Sequence, residues 1–222
     1  MTRRPKPFNP LEKEHIAESV ARVLLNQPVE SLPPEPFIGA GIYAIYYSGD
    51  FVGYEALRTA NADDVWALPI YVGRAQPEGA RKGLVGVDAG PTSKLYDRLR
   101  QHARSIDAAA NLDIADFRVR FLVVDDIWIP LAERLLISWF SPVWNVVVDG
   151  FGNHDPGAGR HKGARPLWDT LHPGREWADR LEQSTVSTAE IEANVREHLA
   201  QGWSPHEAGD DVAIVDLMAA EE

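Results

Sequence analysis

Apolar residues recur every three or four positions in several segments, a spacing that places them on one face of an α-helix. In residues 11–26 the leucines, valines and isoleucine follow this spacing, which predicts an amphipathic helix. Pro130 fits the first turn of another, largely apolar segment, because a proline there costs no helical hydrogen bond. The predicted helices cover residues 11–26, Thr92 or Ser93 to about Ser105, 128–140, 167–181 and 187–200.

Three other segments have the composition and alternation of β-strands. Residues 39–49 are rich in tyrosine and isoleucine and end at a serine–glycine pair. Residues 65–73 form a second predicted strand, interrupted near Pro69, and residues 117–125 alternate and then become continuously apolar. Residues 75–92 contain four glycines and two prolines and predict a long loop.

The order of these elements predicts the fold class. Two strands, a helix, a strand and a helix, followed by further helices, indicate a small α+β fold with helices added at both ends. We divide the chain into an N-terminal helix with a Pro-rich linker (1–36), a core with inserted loop 75–92 (37–150), and a C-terminal segment (151–222). That last segment contains a Gly-rich loop, helices and an acidic tail. Residues 144–150, just before it, are expected to be extended at first.

Composition removes several classes of site. The chain has no cysteine, which excludes disulfides, thiolate zinc sites and cysteine nucleophiles. No apolar run approaches the ~20 residues that span a bilayer. The basic N-terminus lacks the apolar stretch of a secretory signal. We therefore expect a cytoplasmic protein with no membrane partner.

Charge is distributed unevenly along the chain. The formal net charge is −11, yet residues 74–104 contain seven basic and three acidic side chains. From residue 182 onward there are ten acids and one arginine, so much of the acidity lies in the tail. A local basic stretch of this kind is suited to phosphates, and it is equally compatible with a solvated helix face.

Several polar residues stand out within apolar or strand segments. Glu133 has apolar neighbours one helical turn away, and a buried carboxylate requires an ion pair or a cation. Arg98 and His102 are four positions apart, where they could bind a phosphate or point into solvent. Tyr43 and Tyr71 occur in the two predicted strands, where tyrosine is commonly half-buried.

Taken in order, and with Asn145 added, these residues resemble the signature of the GIY-YIG nuclease superfamily. Gly41-Ile42-Tyr43 matches the first tripeptide, and Tyr71-Val72-Gly73 matches the second with valine in place of isoleucine. The later matches are Arg98, His102, Glu133 and Asn145. The stretches SLPP, LPIYVG, WNVVVDGFGNHDPGAGR and HPGREWA are similar to type II restriction enzymes that cut a six-base G/C palindrome.

This resemblance, over roughly residues 31–180, implies a fold, an activity and partners. The fold would be a small, mainly antiparallel sheet flanked by helices. The activity would be Mg²⁺-dependent hydrolysis of double-stranded DNA at a short palindromic G/C-rich site, CCGCGG, with Mn²⁺ able to replace Mg²⁺. A palindromic target implies a homodimer, for which the N-terminal helix is a candidate contact. A DNA methyltransferase is expected in the same system.

The resemblance also implies roles for the site residues. Glu133 would hold the metal ion, and Arg98 would contact the scissile phosphate. Tyr43 would take the proton of the attacking water, directly or with the help of His102. Tyr71 would position water or phosphate. Asn145 would orient the site.

Arg74 departs from the family pattern, which frequently has lysine at this place. Arginine effectively never loses its proton, so Arg74 could hold a phosphate but is a poor general base. Loop 75–92 and residues 151–166 supply further side chains that could read guanine or contact phosphate. The candidate DNA contacts are Arg74, Arg81, Lys82, His154, Arg160, His161 and Arg165.

Three alternative functions remain open at this point. Asn153, His154, Asp155 and His161 have metal-ligand chemistry and could form an HNH-like nuclease site. A DNA-repair or structure-specific nuclease of the same superfamily would use the same tyrosines and glutamate. A DNA-binding module without catalysis would have no physical need for them.

Overall fold

A computed structural model describes residues 12–77, 92–157 and 163–201 of the chain. The described residues form helices and the strands of one sheet. The strands are β1 (Glu30–Ser31), β2 (Gly41–Tyr47), β3 (Pro69–Ala75) and β4 (Phe117–Val123). The helices are α1 (Lys13–Leu25), α2 (Glu55–Ala60), α3 (Lys94–Asp107), α4 (Ile129–Phe140), α5 (Val143–Val146), α6 (Leu167–Leu171) and α7 (Thr188–Ala200).

Within the described residues the strands form one antiparallel sheet in the order β1-β4-β2-β3. Strand β2 is buried along its whole length, which explains its continuous run of apolar and aromatic residues. A side chain on Gly41 would collide with the carbonyl oxygen of Leu122 on β4, so glycine permits this close pairing. The α+β fold with a small, mainly antiparallel sheet is confirmed.

Helix α1 packs on α4 and β4 of its own chain. Its small and apolar residues Ala17, Ala21 and Leu24 are buried in this contact. The apolar face predicted for residues 11–26 therefore packs against other elements of the same chain. This face of α1 is not available to a second copy of the chain.

The C-terminal segment joins the same hydrophobic core. Phe151 and Trp168 are buried against Trp144, with ring centroids 4.5 and 5.7 Å from it. Helix α7 closes this side through Ile191 and Val195, both 1% exposed. In the described part of the chain, no helix is long and apolar enough to cross a membrane.

Two local predictions were wrong, and two short elements were not predicted. The helix predicted over 167–181 ends at Leu171, because Pro173 and Gly174 follow and Gly174 has φ +146°. Residues 144–150 do not begin extended: α5 begins at Val143, directly after a proline, and turns Trp144 into the core. Helix α2 and the two-residue strand β1 were not predicted, since both are short and depend on neighbouring elements.

Other predictions were close. The helices predicted over 11–26, 128–140 and 187–200 are present within about two residues. Strand β3 begins at the proline that was expected to interrupt it. Most of loop 75–92 and the acidic end, residues 78–91 and 202–222, lie outside the described residues.

Candidate active site

Tyr43 and His102 form a buried hydrogen-bonded pair at the centre of the molecule. The tyrosine hydroxyl lies 2.6 Å from Nε2 of His102, and both residues are at most 1% exposed. Helix α3 brings His102 to the sheet together with Leu95 and Leu99, so this histidine does not lie on the exposed helix face that was one of its two interpretations. Burial, and after it the charge of Arg98, lowers the pKa of His102 well below 6.5. His102 is therefore neutral at pH 7, and in the tautomer protonated on Nδ1 its Nε2 can accept the hydrogen bond of the tyrosine hydroxyl.

The second tyrosine lies beside this pair. The rings of Tyr43 and Tyr71 are 6.2 Å apart, and Tyr71 is 5.2 Å from the His102 ring. In the register of β2 and β3, Tyr43 lies opposite Gly73, where any side chain would collide with the Tyr43 hydroxyl. The glycine of the second tripeptide thus makes room for the tyrosine of the first.

Arg98 acts on both tyrosines by its charge and by hydrogen bonding. Its Nη2 donates to the carbonyl oxygen of Gly152 at 3.0 Å, and its Nη1 lies 2.9 Å from Nε2 of His154. Burial, followed by the Tyr71 charge, raises the pKa of Tyr43, whereas Arg98 lowers it by charge and hydrogen bonding. Burial also raises the pKa of Tyr71, which Arg98 again opposes. Both tyrosines are thus protonated at pH 7, with an arginine placed to stabilise either phenolate.

Glu133 completes the group from helix α4. Its carboxylate accepts from Nη1 of Arg74 at 2.6 Å, and its side chain is 18% exposed. Burial raises the pKa of Glu133, and Arg74 is the main opposing influence. The negative charge of Glu133 in turn acts on Tyr43 and on Tyr71, which places all of these groups within electrostatic reach of one another.

The donor set fits a magnesium ion better than a metal caged by protein. Mg²⁺ is commonly held by one or two carboxylates while it keeps several water ligands. Glu133 offers one partly desolvated carboxylate whose described ion-pair partner is Arg74. Among the residues that the structure describes, no cluster of three or more histidine, aspartate or glutamate side chains could hold a metal by itself.

Asn145 pairs with the outer edge of strand β3. Its Oδ1 accepts from the amide of Val72 and its Nδ2 donates to the carbonyl of Val72, both at 2.8 Å. The side-chain amide thus mimics a peptide group of a neighbouring strand and fixes the YVG tripeptide. Asn145 is not a simple turn residue, because it positions the strand that carries Tyr71.

A basic groove opens next to this group. Its volume is about 430 Å³, and Arg98 and Arg74 lie at its inner side. A second recess of about 230 Å³ adjoins it on the other side of Arg98. The groove is lined by Arg74, Ala75, Gln76, Lys94, Asp97, Arg98, Arg100, Gln101 and Arg104.

The proposed DNA contacts fall into three groups. Arg74 and His154 lie at the site, each engaged with another site residue. Arg165 instead contacts Asp179 at 3.2 Å and donates to the carbonyl of Ala178, within its own C-terminal segment. Arg81, Lys82, Arg160 and His161 lie outside the described residues.

The contact of His154 with Arg98 bears on the HNH-like alternative. His154 has its Nε2 lone pair directed at a guanidinium that cannot act as an acceptor. In this arrangement Nε2 of His154 is not available to a metal, so only Nδ1 could serve as a ligand. The geometry therefore favours the tyrosine-centred site.

Sequence reasoning did not find Phe151 or Arg175. Phe151 stacks on the His102 ring, with centroids 4.4 Å apart and planes at 16°. Arg175 holds the turn that carries Phe151. Both lie in stretches that resemble the family, yet no spacing rule connects them with a catalytic residue.

The structure thus brings together the residues through which the sequence resembles GIY-YIG nucleases, at the edge of a basic groove on a small antiparallel sheet. A model of the Eco29kI GIY-YIG domain family matches residues 35–199. The chain belongs to this family of type II restriction endonucleases. No curated protein matches the chain. The protein is accordingly an endonuclease that acts on DNA.

Proposed function

We propose that this protein is a Mg²⁺-dependent type II restriction endonuclease that hydrolyses both strands of a short palindromic, G/C-rich site. CCGCGG is the site that the sequence resemblance suggests. The observation that carries the proposal is the Tyr43–His102 hydrogen bond with Arg98 and Glu133 beside it. These groups supply a proton acceptor, a phosphate ligand and a metal ligand in one place.

The attacking water loses its proton to Tyr43. A neutral tyrosine is a poor base, so its own proton must leave as the water proton arrives. His102 is placed to take it, since its Nε2 lies 2.6 Å from the Tyr43 hydroxyl and is free of a proton in the Nδ1-protonated tautomer. The pair acts as a proton relay in which Arg98 favours the transient phenolate.

Charge develops on the phosphate oxygens as the water attacks. Arg98 lies between the two tyrosines and the basic groove and is suited to contact the scissile phosphate. Glu133 would hold Mg²⁺, which when bound supplies positive charge to the phosphate and the leaving oxygen. Arg74, released from Glu133, would turn to a DNA phosphate along the groove. The departing 3′-oxygen takes up a proton from solvent water, so the products are a 5′-phosphate and a 3′-hydroxyl.

The groove supports binding of a DNA backbone. Lys94, Arg100 and Arg104 line it on α3, in addition to Arg74 and Arg98. Phosphate contacts of this kind fix register and orientation, and base contacts must supply specificity. The candidate base-reading residues belong to loop 75–92 and to segment 151–166.

A palindromic target requires two active sites related by a two-fold axis, so we propose a homodimer. The apolar face of α1 is covered by α4, which moves the dimer contact away from the face first considered. Sedimentation with and without DNA tests this part. A monomer under both conditions would contradict it. A cognate methyltransferase would protect the host site.

Digestion of plasmid DNA with the purified protein and Mg²⁺ tests the whole proposal. We expect discrete fragments whose sequenced ends share one palindrome, loss of cleavage with a chelator, and recovery with Mg²⁺ or Mn²⁺. Arg98→Lys should abolish the fragments. Random nicking would indicate a structure-specific nuclease, and intact plasmid that shifts in a gel would indicate a binding module.

A further inference from the structure

Arg175 is buried at the centre of a dense set of contacts. It is 5% exposed and forms a two-point salt bridge with Asp169, at 2.6 and 2.5 Å. Its guanidinium lies between the rings of Trp168 and Trp177, 4.5 and 4.7 Å from their centroids. These partners together hold the buried guanidinium of Arg175 in one position.

The remaining donors of Arg175 hold one turn of the chain. They reach the carbonyl oxygens of Gly150, Phe151 and Asn153, at 3.0, 3.1 and 3.2 Å. Only arginine offers five N–H donors in one plane, so lysine could not make these bonds and the salt bridge together. The turn 150–153 is therefore fixed to α6 by this side chain.

The turn 150–153 touches three of the proposed catalytic residues, Arg98, His102 and Tyr71. Gly152 accepts from Arg98 at 3.0 Å, and the next residue but one, His154, lies 2.9 Å from the same guanidinium. Phe151 stacks on the ring of His102 and meets Tyr71 edge-on, with centroids 4.9 Å apart. The position of the turn thus sets the direction of Arg98 and the plane of His102.

We propose that Arg175, held by Asp169, is a positioning residue for the nuclease site: it fixes turn 150–153 so that Gly152 and Phe151 orient Arg98 and His102. This inference rests on the proposed function. The described hydrogen bonds of Arg175 go to the turn and to Asp169 and not to Arg98 or His102, so Arg175 acts chiefly through the turn. The Asp169–Arg175 pair thus has a role in catalysis besides its contribution to the core.

Arg175→Lys keeps the charge opposite Asp169 but removes most of the bonds to the turn. We expect the single-turnover cleavage rate at saturating Mg²⁺ and DNA to fall on the order of 10- to 100-fold. DNA affinity measured without metal should change less than about threefold, because the other basic residues of the groove, Arg74, Lys94, Arg100 and Arg104, are untouched. The ¹⁵Nε–Hε NMR signal of Arg98, assigned by its loss in Arg98→Lys, should shift and report greater mobility.

Arg120→Lys is the matched control. Arg120 is also buried, 8% exposed, and donates to two backbone carbonyls, those of Gln27 and Trp66. It pairs with Ala44 on β2, on the sheet face opposite to Tyr43. We expect Arg120→Lys to lower Tm as much as Arg175→Lys does, with the cleavage rate and the Arg98 signal unchanged.

Two results would overturn the inference. One is an Arg175→Lys protein that cuts at the wild-type rate with an unaltered Arg98 signal. The other is a loss of rate that Arg120→Lys reproduces at equal loss of Tm. If wild-type protein does not cut DNA, the proposed function fails instead, and the Arg98 signal still decides whether Arg175 orients that side chain. If Arg175→Lys and Arg120→Lys lower Tm too far for the assay, the double variant Asp169→Asn/Arg175→Gln is tested instead. This double variant removes both buried charges together.

Discussion

The hydroxyl oxygen of Tyr43 and Nε2 of His102 are hydrogen-bonded although 59 positions separate the two residues in the chain. The tyrosine comes from the buried central strand and the histidine from the helix that covers it. Both side chains are buried, so neither can form a hydrogen bond with bulk water. Each is instead a polar group whose burial requires a partner, and here each is the partner of the other.

Removing the tyrosine hydroxyl should slow hydrolysis without weakening binding. In Tyr43→Phe the ring remains and the proton relay is lost, so the single-turnover rate should fall by about 10²–10⁴-fold. DNA affinity without metal should remain within about threefold of wild type. Tyr46→Phe, on the opposite face of β2, is the control and should cut normally. Cleavage by Tyr43→Phe at the wild-type rate would shift the base role to His102.

The carboxylate of Glu133 should be needed for metal-dependent cleavage. Glu133→Ala removes the proposed ligand and several kcal/mol of transition-state stabilisation, so the rate should fall on the order of 1,000-fold. Glu133→Asp should retain some activity and need more Mg²⁺ in a titration of rate against metal concentration. Glu190→Ala on α7 serves as the control. Full Mg²⁺-dependent activity of Glu133→Ala would refute the assignment.

The Asn145–Val72 pairing should contribute to both stability and rate. Asn145→Ala removes two hydrogen bonds and should lower the free energy of unfolding by about 1–3 kcal/mol in urea titrations. The single-turnover rate should also fall, since the freed edge of β3 carries Tyr71. Asn145→Asp has the same shape but no donor for the Val72 carbonyl, so it should not restore stability. An Asp variant as stable as wild type would show that the Nδ2 bond is unimportant.

Acidification should destabilise the protein partly through His172. Burial lowers the pKa of this histidine from 6.5 to about 3, and its Nε2 lies 2.8 Å from the Tyr54 hydroxyl. Between these pH values the unfolded chain binds the proton and the folded protein does not, so stability falls as the pH falls through this window. The slope due to one such group is at most about 1.4 kcal/mol per pH unit.

The variant His172→Gln tests this contribution. It should be less stable than wild type at pH 7, but its unfolding free energy should decline less steeply between pH 6.5 and 4. Carboxylates titrate in both proteins, so the difference between the two slopes isolates the histidine. Identical slopes would contradict the assignment.

Much of the fold could be predicted because its signals are local. Each signal predicts the conformation of the short segment that contains it. These signals are the helical periodicity of residues 128–140, the apolar run of β2 and the two glycine-containing tripeptides. The ordered tripeptides and later polar residues also pointed to one site before any geometry was known. Prediction failed at α2, α5 and α6, which are four to six residues long and depend on what they pack against.

The sequence by itself determined the class of the fold, which follows from hydrophobic periodicity, and, through its resemblance to the GIY-YIG signature, the polar members of the candidate site apart from Arg175. Only the tertiary structure decided how the members act on one another. It shows that Arg74 pairs with Glu133, that Arg98 bonds to turn 150–153, and that Asn145 bonds to the edge of β3. The physical reason is that these bonds join residues that are 54 to 73 positions apart in the chain and lie on separate elements. Such bonds form only when one shared core has packed. A local pattern carries the conformation of a segment, but it does not carry the identity of the group that will lie against it.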